Sequence, residues 1–123
     1  MINVKDKVYQ ALCGIDADLS VSDVYPSDWS KTYAVQYMEE ANNVYSWVNN
    51  EEELAELSYV IYAWSNQSLS QLACDIDTAL SALGLKRTSC TDANDPSGRR
   101  HKVMRYEGVI DCETEQMFWQ NNR

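Results

Sequence analysis

One histidine, one phenylalanine, two prolines and four glycines are spread over 123 residues, and each shortage closes off a chemistry. A single imidazole, His101, cannot furnish a histidine-rich metal centre. The four cysteines, Cys13, Cys74, Cys90 and Cys112, form no CxxC pair and no Cys/His cluster at ligand spacing. The expectation is reduced thiols packed as small hydrophobes, with no metal and no cofactor. The scattered glycines make no phosphate-cradling loop and no dinucleotide fingerprint. Apolar runs are a few residues long, far below the roughly 20 that cross a bilayer as a helix, so no membrane partner is expected. The opening MINVKDKVYQAL has no charged leader ahead of an apolar run, which points to a protein that works where it is made.

What the chain has in excess is acid. Its formal charge is −9, unevenly placed: residues 1–80 carry 13 acids and 3 bases, residues 81–123 carry 6 acids and 7 bases. An anionic surface repels phosphate backbones and disfavours sequence-independent nucleic-acid binding. The length fits one domain, residues 1–123, able to bury roughly two thirds of its unfolded surface at most.

Periodicity gives an α+β order. Val4, Val8, Leu12 and Ile15 recur at helical spacing over about residues 3–13, with Asn3 as cap and Gly14 as stop. VSDVYPSDWSKT reads as a short edge strand entering a loop, TYAVQYMEE as an alternating strand, and NNVYSWVNN as a second short run. LSYVIYAWS is apolar at nearly every position, the mark of a central strand. In SLSQLACDIDTALSALGLK, Leu69, Leu72, Ala73, Ile76, Ala79, Leu80 and Leu83 form one helical stripe. A Ser68/Gln71 capping box opens that helix and Gly84 closes it. LKRTSCT is a strand, Asp95-Pro96-Ser97-Gly98 a β-turn, and HKVMRYEGVIDCET a long strand with Arg105, Glu107, Asp111 and Glu113 on its outer face.

Candidate chemistry is sparse. Asp75 and Asp77 point to nearly opposite faces of one helix and read as a solvated face, while Asp16 and Asp18 read as helix termination. His101, Cys90 and Asp111 are the one catalytic trio that can be drawn, with no nucleophile elbow around them, so no catalytic residue is assigned. Arg99, Arg100, Lys102 and Arg105 suit a solvated turn, a phosphate contact or an electrostatic partner for acidic protein surface. No stacking aromatics are interleaved with them in sequence, which weakens the second. Glu39-Glu40 and Glu51-Glu52-Glu53 supply acidic surface on the same chain. Four tryptophans and eight tyrosines exceed what one phenylalanine would suggest, and Trp119, in the tail QMFWQNNR, is an interface candidate.

The order of elements, carried by DVYPSDWSKTYAVQY, SYVIYAWSNQSLSQLACDIDTALSALGL, KRTSC and above all DPSGRRHKVMRYEGVID, resembles the tail-completion proteins of long-tailed bacteriophages and prophages, which include tail terminators and head-tail joining proteins. In that family a turn is followed by an Arg-His or Lys-His pair and an alternating strand. NNEEELAELSYVIYAW departs from the family's more evenly polar hairpin. The resemblance implies a tail-terminator-like fold, a largely antiparallel twisted sheet with two helices on one face. It also implies a homo-oligomeric, hexameric ring in the virion tail or neck, assembled in the host cytoplasm. Such a ring contacts the major tail tube protein and the head connector, and DNA passes through it without sequence-specific binding. It implies no catalytic residues. The interface expected from the residues themselves comprises Arg99, Arg100, Lys102, Glu39, Glu40, Glu51, Glu52 and Trp119. A head-closure protein of the neck, or an acidic inhibitor or DNA mimic, are the alternative readings.

Overall fold

The computed structural model describes residues 1–16 and 18–118. Helix α1 (Lys5–Cys13) is followed by β1 (Leu19–Ser22), β2 (Tyr33–Val48), β3 (Glu51–Ser65), α2 (Ser70–Ala82), β4 (Lys86–Ala93), β5 (Arg100–Asp111) and the short β6 (Met117–Phe118). The strands lie in the order β1-β2-β3-β5-β4 as one open sheet, and β6 pairs with Val109 and Ile110 of β5. Every pairing is antiparallel except β1 with β2, so the sheet is mixed and the class is α+β. The parallel β1–β2 step needs a connection long enough to carry the chain back to the other end, which the 23–32 segment supplies.

Strand alternation sorts the sheet into two faces. On one, Ala55, Leu57, Tyr59, Ile61 and Ala63 of β3 join Met104, Tyr106 and Ile110 of β5 and Val35 and Tyr37 of β2. Both helices close over this face, α1 through Val8 and Leu12, with Val4 just ahead of it, and α2 through Leu72, Ile76 and Leu80. Each such aliphatic side chain stabilises the fold by about 1.5–3 kcal/mol on burial. β3 lies between β2 and β5 and is buried on both faces, as its nearly uninterrupted apolar run requires.

Polar ties fix the helices on the sheet. Tyr106 donates its hydroxyl to Asp77 at 2.9 Å, and Arg87 pairs with the same carboxylate at 3.2 Å, joining α2 to β5 and β4. Asp77 therefore belongs to the helix-sheet seam, which corrects the expectation of a solvated face. Asp75 accepts from Gln71 one turn earlier. Asp18 binds both the backbone amide and the hydroxyl of Thr32, bringing the start of β1 beside the start of β2. These Thr32 hydrogen bonds hold the Asp18 carboxyl below the usual carboxylate range.

Two local expectations are corrected. The Ser68/Gln71 capping box does not form: Gln71 is engaged with Asp75, and Ser68 Oγ accepts from the Ser70 amide at 3.3 Å. The runs TYAVQYMEE and NNVYSWVNN are one 16-residue strand, because a bulge at Glu40 absorbs the break in alternation without ending the pairing. The segment around 40–56 is consequently paired strand, the far ends of β2 and β3. Asn49 and Asn50 turn it with φ of 53° and 66°, a conformation that asparagine tolerates in two-residue hairpins.

Candidate protein-protein interface

The long strands give the molecule two chemically different ends. At one, β5 begins at Arg100, opposite Ser65 at the end of β3. The turn before it closes with the Gly98 amide donating to the Asp95 carbonyl at 3.0 Å, and Gly98 takes φ of +80°. The Asp95 side chain accepts from the Ser97 amide and hydroxyl and, at 3.1 Å, from the Trp64 indole. The Ser97 hydroxyl, followed by its amide and the indole, holds the Asp95 carboxyl below its ordinary range.

On the sheet face away from the helices, His101 stacks on Trp64 with centroids 4.6 Å apart and on Tyr62 at 5.8 Å. Its Nδ1 lies 3.1 Å from the Ala63 carbonyl, an arrangement that makes Nδ1 the proton-bearing nitrogen. The 23–32 segment folds over Trp64, placing Tyr25 and Trp29 edge-on against it at 5.5 and 6.0 Å. The Arg99 guanidinium lies 4.1 Å from the Trp29 ring centroid, a cation–π contact. No aromatics are interleaved with the basic residues in sequence; folding brings four of them there, Tyr62 and Trp64 from β3 and Tyr25 and Trp29 from the 23–32 segment. No local pattern in RRHK signals this, since the neighbours come from more than 30 residues away.

The opposite end is acidic and apolar. β5 pairs with β3 only as far as Leu54–Asp111, so the remaining turns of β2 and β3 form a two-stranded ribbon without a third strand. Trp47, by 62%, and Val48 are exposed on it, and Val44 and Tyr45 are exposed on β2 just before it, where β3 still pairs with β5. Glu51, Glu52 and Glu53 line a cleft at its base with Asp111 and Glu113.

The predicted interface residues divide into two groups. Arg99, Arg100 and Glu51 lie at the molecule's ends, and among the described residues neither arginine forms an ion pair. The others are engaged within the subunit. Lys102, with only 17% of its side chain exposed, pairs with Asp92 at 2.7 Å, and this contact raises the lysine pKa and lowers that of the aspartate. Glu39 accepts the Tyr59 hydroxyl at 2.5 Å, Glu40 pairs with Arg105 at 2.7 Å, and Glu52, 11% exposed, pairs with the Met1 ammonium at 2.7 Å. Trp119 lies outside the described residues. The residues that sequence reading passed over are Tyr25, Trp29 and Trp47. Their signal was present as apolar aromatics set among polar neighbours in VYPSDWSK and YSWVNN.

The catalytic trio does not assemble. His101 lies on the open face, Cys90 is packed against the helix-side core, and Asp111 is at the far end of β5. Among the described residues no group of three His, Cys, Asp or Glu side chains is arranged to hold a metal, and the four cysteines are free thiols. Among the described residues no helix is long and apolar enough to cross a membrane. No protein-family model matches the chain, and no curated protein is similar enough to match it.

Proposed function

We propose that the chain is a structural virion protein that forms a ring at the head-proximal end of a phage tail, stops growth of the tail tube and joins tail to head. The reading rests on the resemblance of DPSGRRHKVMRYEGVID and the helix-strand order to the tail-completion family. The observation that carries it is the polarity of one subunit. An acidic, aromatic ribbon stands at one end of the β3–β5 pair and the Arg99–Arg100 turn at the other.

Work of this kind is done by surfaces. Unlike patches at opposite ends favour head-to-tail contact, and head-to-tail contacts between identical subunits generate rings or filaments. The partners in this reading are further copies of the chain, the tail tube below and the head connector above, with DNA passing through.

Deletion of the gene from a phage that carries it, followed by electron microscopy, tests the proposal. Tails of irregular, excessive length that fail to join heads, restored by supplying the protein in trans, are the expected result. Normal joined particles would overturn it. A failure confined to joining, with tails of normal length, would move the assignment to a head-closure protein. Unchanged particles together with altered host growth would favour an acidic inhibitor.

A further inference from the structure

We propose that the β2–β3 ribbon is an arm by which one copy docks on the Tyr25–Trp29–Arg99 end of a second copy. The inference rests on the self-assembly reading above and adds the two surfaces that meet.

The ribbon's composition contradicts a solvated existence. Two-stranded ribbons are marginal in water, and exposed apolar strands with free edges are normally short, charged or covered. Here Trp47 and Val48 are exposed on the projecting tip, and Val44 and Tyr45 on the stretch of β2 that leads to it. The ribbon is nonetheless ordered by fixed devices: the Asn49-Asn50 turn, the Ser46 hydroxyl donating to Glu53 at 2.8 Å, and the Met1–Glu52 ion pair at its base. An ordered arm with an uncovered tryptophan is preorganised for burial.

Charge selects the occupant. The ribbon carries Glu51 and Glu53 outward, so its partner surface must be cationic as well as apolar. The same chain presents that combination at the other end of β3. Tyr25 is 57% exposed there, Trp29 lies beneath the Arg99 guanidinium, and Arg100, register partner of Ser65, is exposed at the same end on the helix side with Lys102. Of the carboxylates at this end, Asp92 is paired with Lys102 and Asp23 with Lys5, whereas Asp28 and Asp95 accept hydrogen bonds from Ser30 and from Ser97 and Trp64. Glu51 and Ser65 are separated by the length of β3, roughly 45 Å at 3.3 Å per residue, so one subunit cannot close the contact on itself. A second copy can. Because the two patches differ, the contact is heterologous and leaves each subunit with one donor and one acceptor end.

Sedimentation velocity of the full chain tests this, using wild type, Trp47→Ser, an Arg99→Glu/Arg100→Glu variant and a Glu51→Lys/Glu53→Lys variant. The expected result is a concentration-dependent assembly weakened about tenfold or more by Trp47→Ser. Each charge-reversed variant should assemble poorly alone, while their equimolar mixture assembles, because acidic ribbon then meets basic turn and basic ribbon meets acidic turn. Circular dichroism matching wild type confirms that each variant is folded. Assembly of all three variants at wild-type strength would overturn the arm while leaving ring formation standing. A wild-type chain that stays monomeric at high concentration would overturn self-docking, and tail length in the deletion phage then judges the function separately.

Discussion

The Arg105 guanidinium donates to Glu40 Oε1 at 2.7 Å, an ion pair that joins β5 to β2 across the strand between them. Beneath it on β3 is Val60, register partner of both Met38 and Arg105, fully buried although it lies on the face without helices. The bulge at Glu40 makes the reach possible. Glu39 turns towards the helix face to accept from Tyr59, and Glu40 turns the other way, over Val60. The pair and the arginine stem thus act as a lid on an otherwise open sheet.

Removing that lid should cost little through charge and more through packing. Exposed ion pairs contribute about 0 to 1 kcal/mol, so a double-mutant cycle of Arg105→Lys with Glu40→Gln should give coupling within that range that falls as salt rises. Arg105→Ala, which also uncovers Val60, should destabilise more than Arg105→Lys in urea unfolding. A salt-independent coupling of several kcal/mol would contradict an exposed pair.

Tyr59 and Tyr106 predict alkaline lability. Burial first, and then the Glu39 and Asp77 carboxylates, raise both phenol pKa values far above the usual value near 10. A pKa higher in the folded than in the unfolded state means stability that is fully present below about pH 10 and lost as pH rises beyond it. Ultraviolet titration should show these tyrosines ionising only as the native circular dichroism disappears. Complete phenol ionisation near pH 10 with the fold intact would contradict their placement.

Two glycines with positive φ should respond differently to alanine. A Cβ at Gly84, φ +100°, would lie 2.4 Å from the Met117 carbonyl oxygen, whereas one at Gly98, φ +80°, meets nothing within 4 Å. Gly98→Ala therefore incurs backbone strain alone, about 1 kcal/mol, and Gly84→Ala incurs strain plus displacement of β6. Thermal unfolding should rank Gly84→Ala clearly the less stable. Equal melting temperatures would contradict the Gly84–Met117 contact.

Ile76, fully buried on α2, tests the helix orientation. Ile76→Val should cost about 0.5–1.5 kcal/mol, and Ile76→Asp should unfold the domain by placing an unpaired charge in the core. Unchanged stability of the aspartate variant would mean that α2 faces the sheet with another side.

The α+β class, α2 and its stripe, the central strand and the 95–98 turn were legible because each is written in local periodicity or turn chemistry. The length of β2 was not. Glu39 and Glu40 look like a strand end until the bulge is seen to send them to opposite faces, where Tyr59 and Arg105 meet them. The capping box failed for a related reason: Gln71 found Asp75 at i+4, a competitor four residues away on its own helix. At the candidate interface, charge type was readable but availability was not. Whether Lys102 or Arg99 is free depends on Asp92 and Trp29, and pairing across strands and loops decides that.

Native mass spectrometry of the purified chain decides between a ring and its alternatives, since an end-to-end contact between unlike patches has to close on itself or continue. The expected species is a closed homo-oligomer, a hexamer by the family resemblance, that dissociates as ionic strength rises and its charge-selected register loosens. A symmetric dimer joined through like patches, or a monomer under all conditions that preserve the fold, would contradict it.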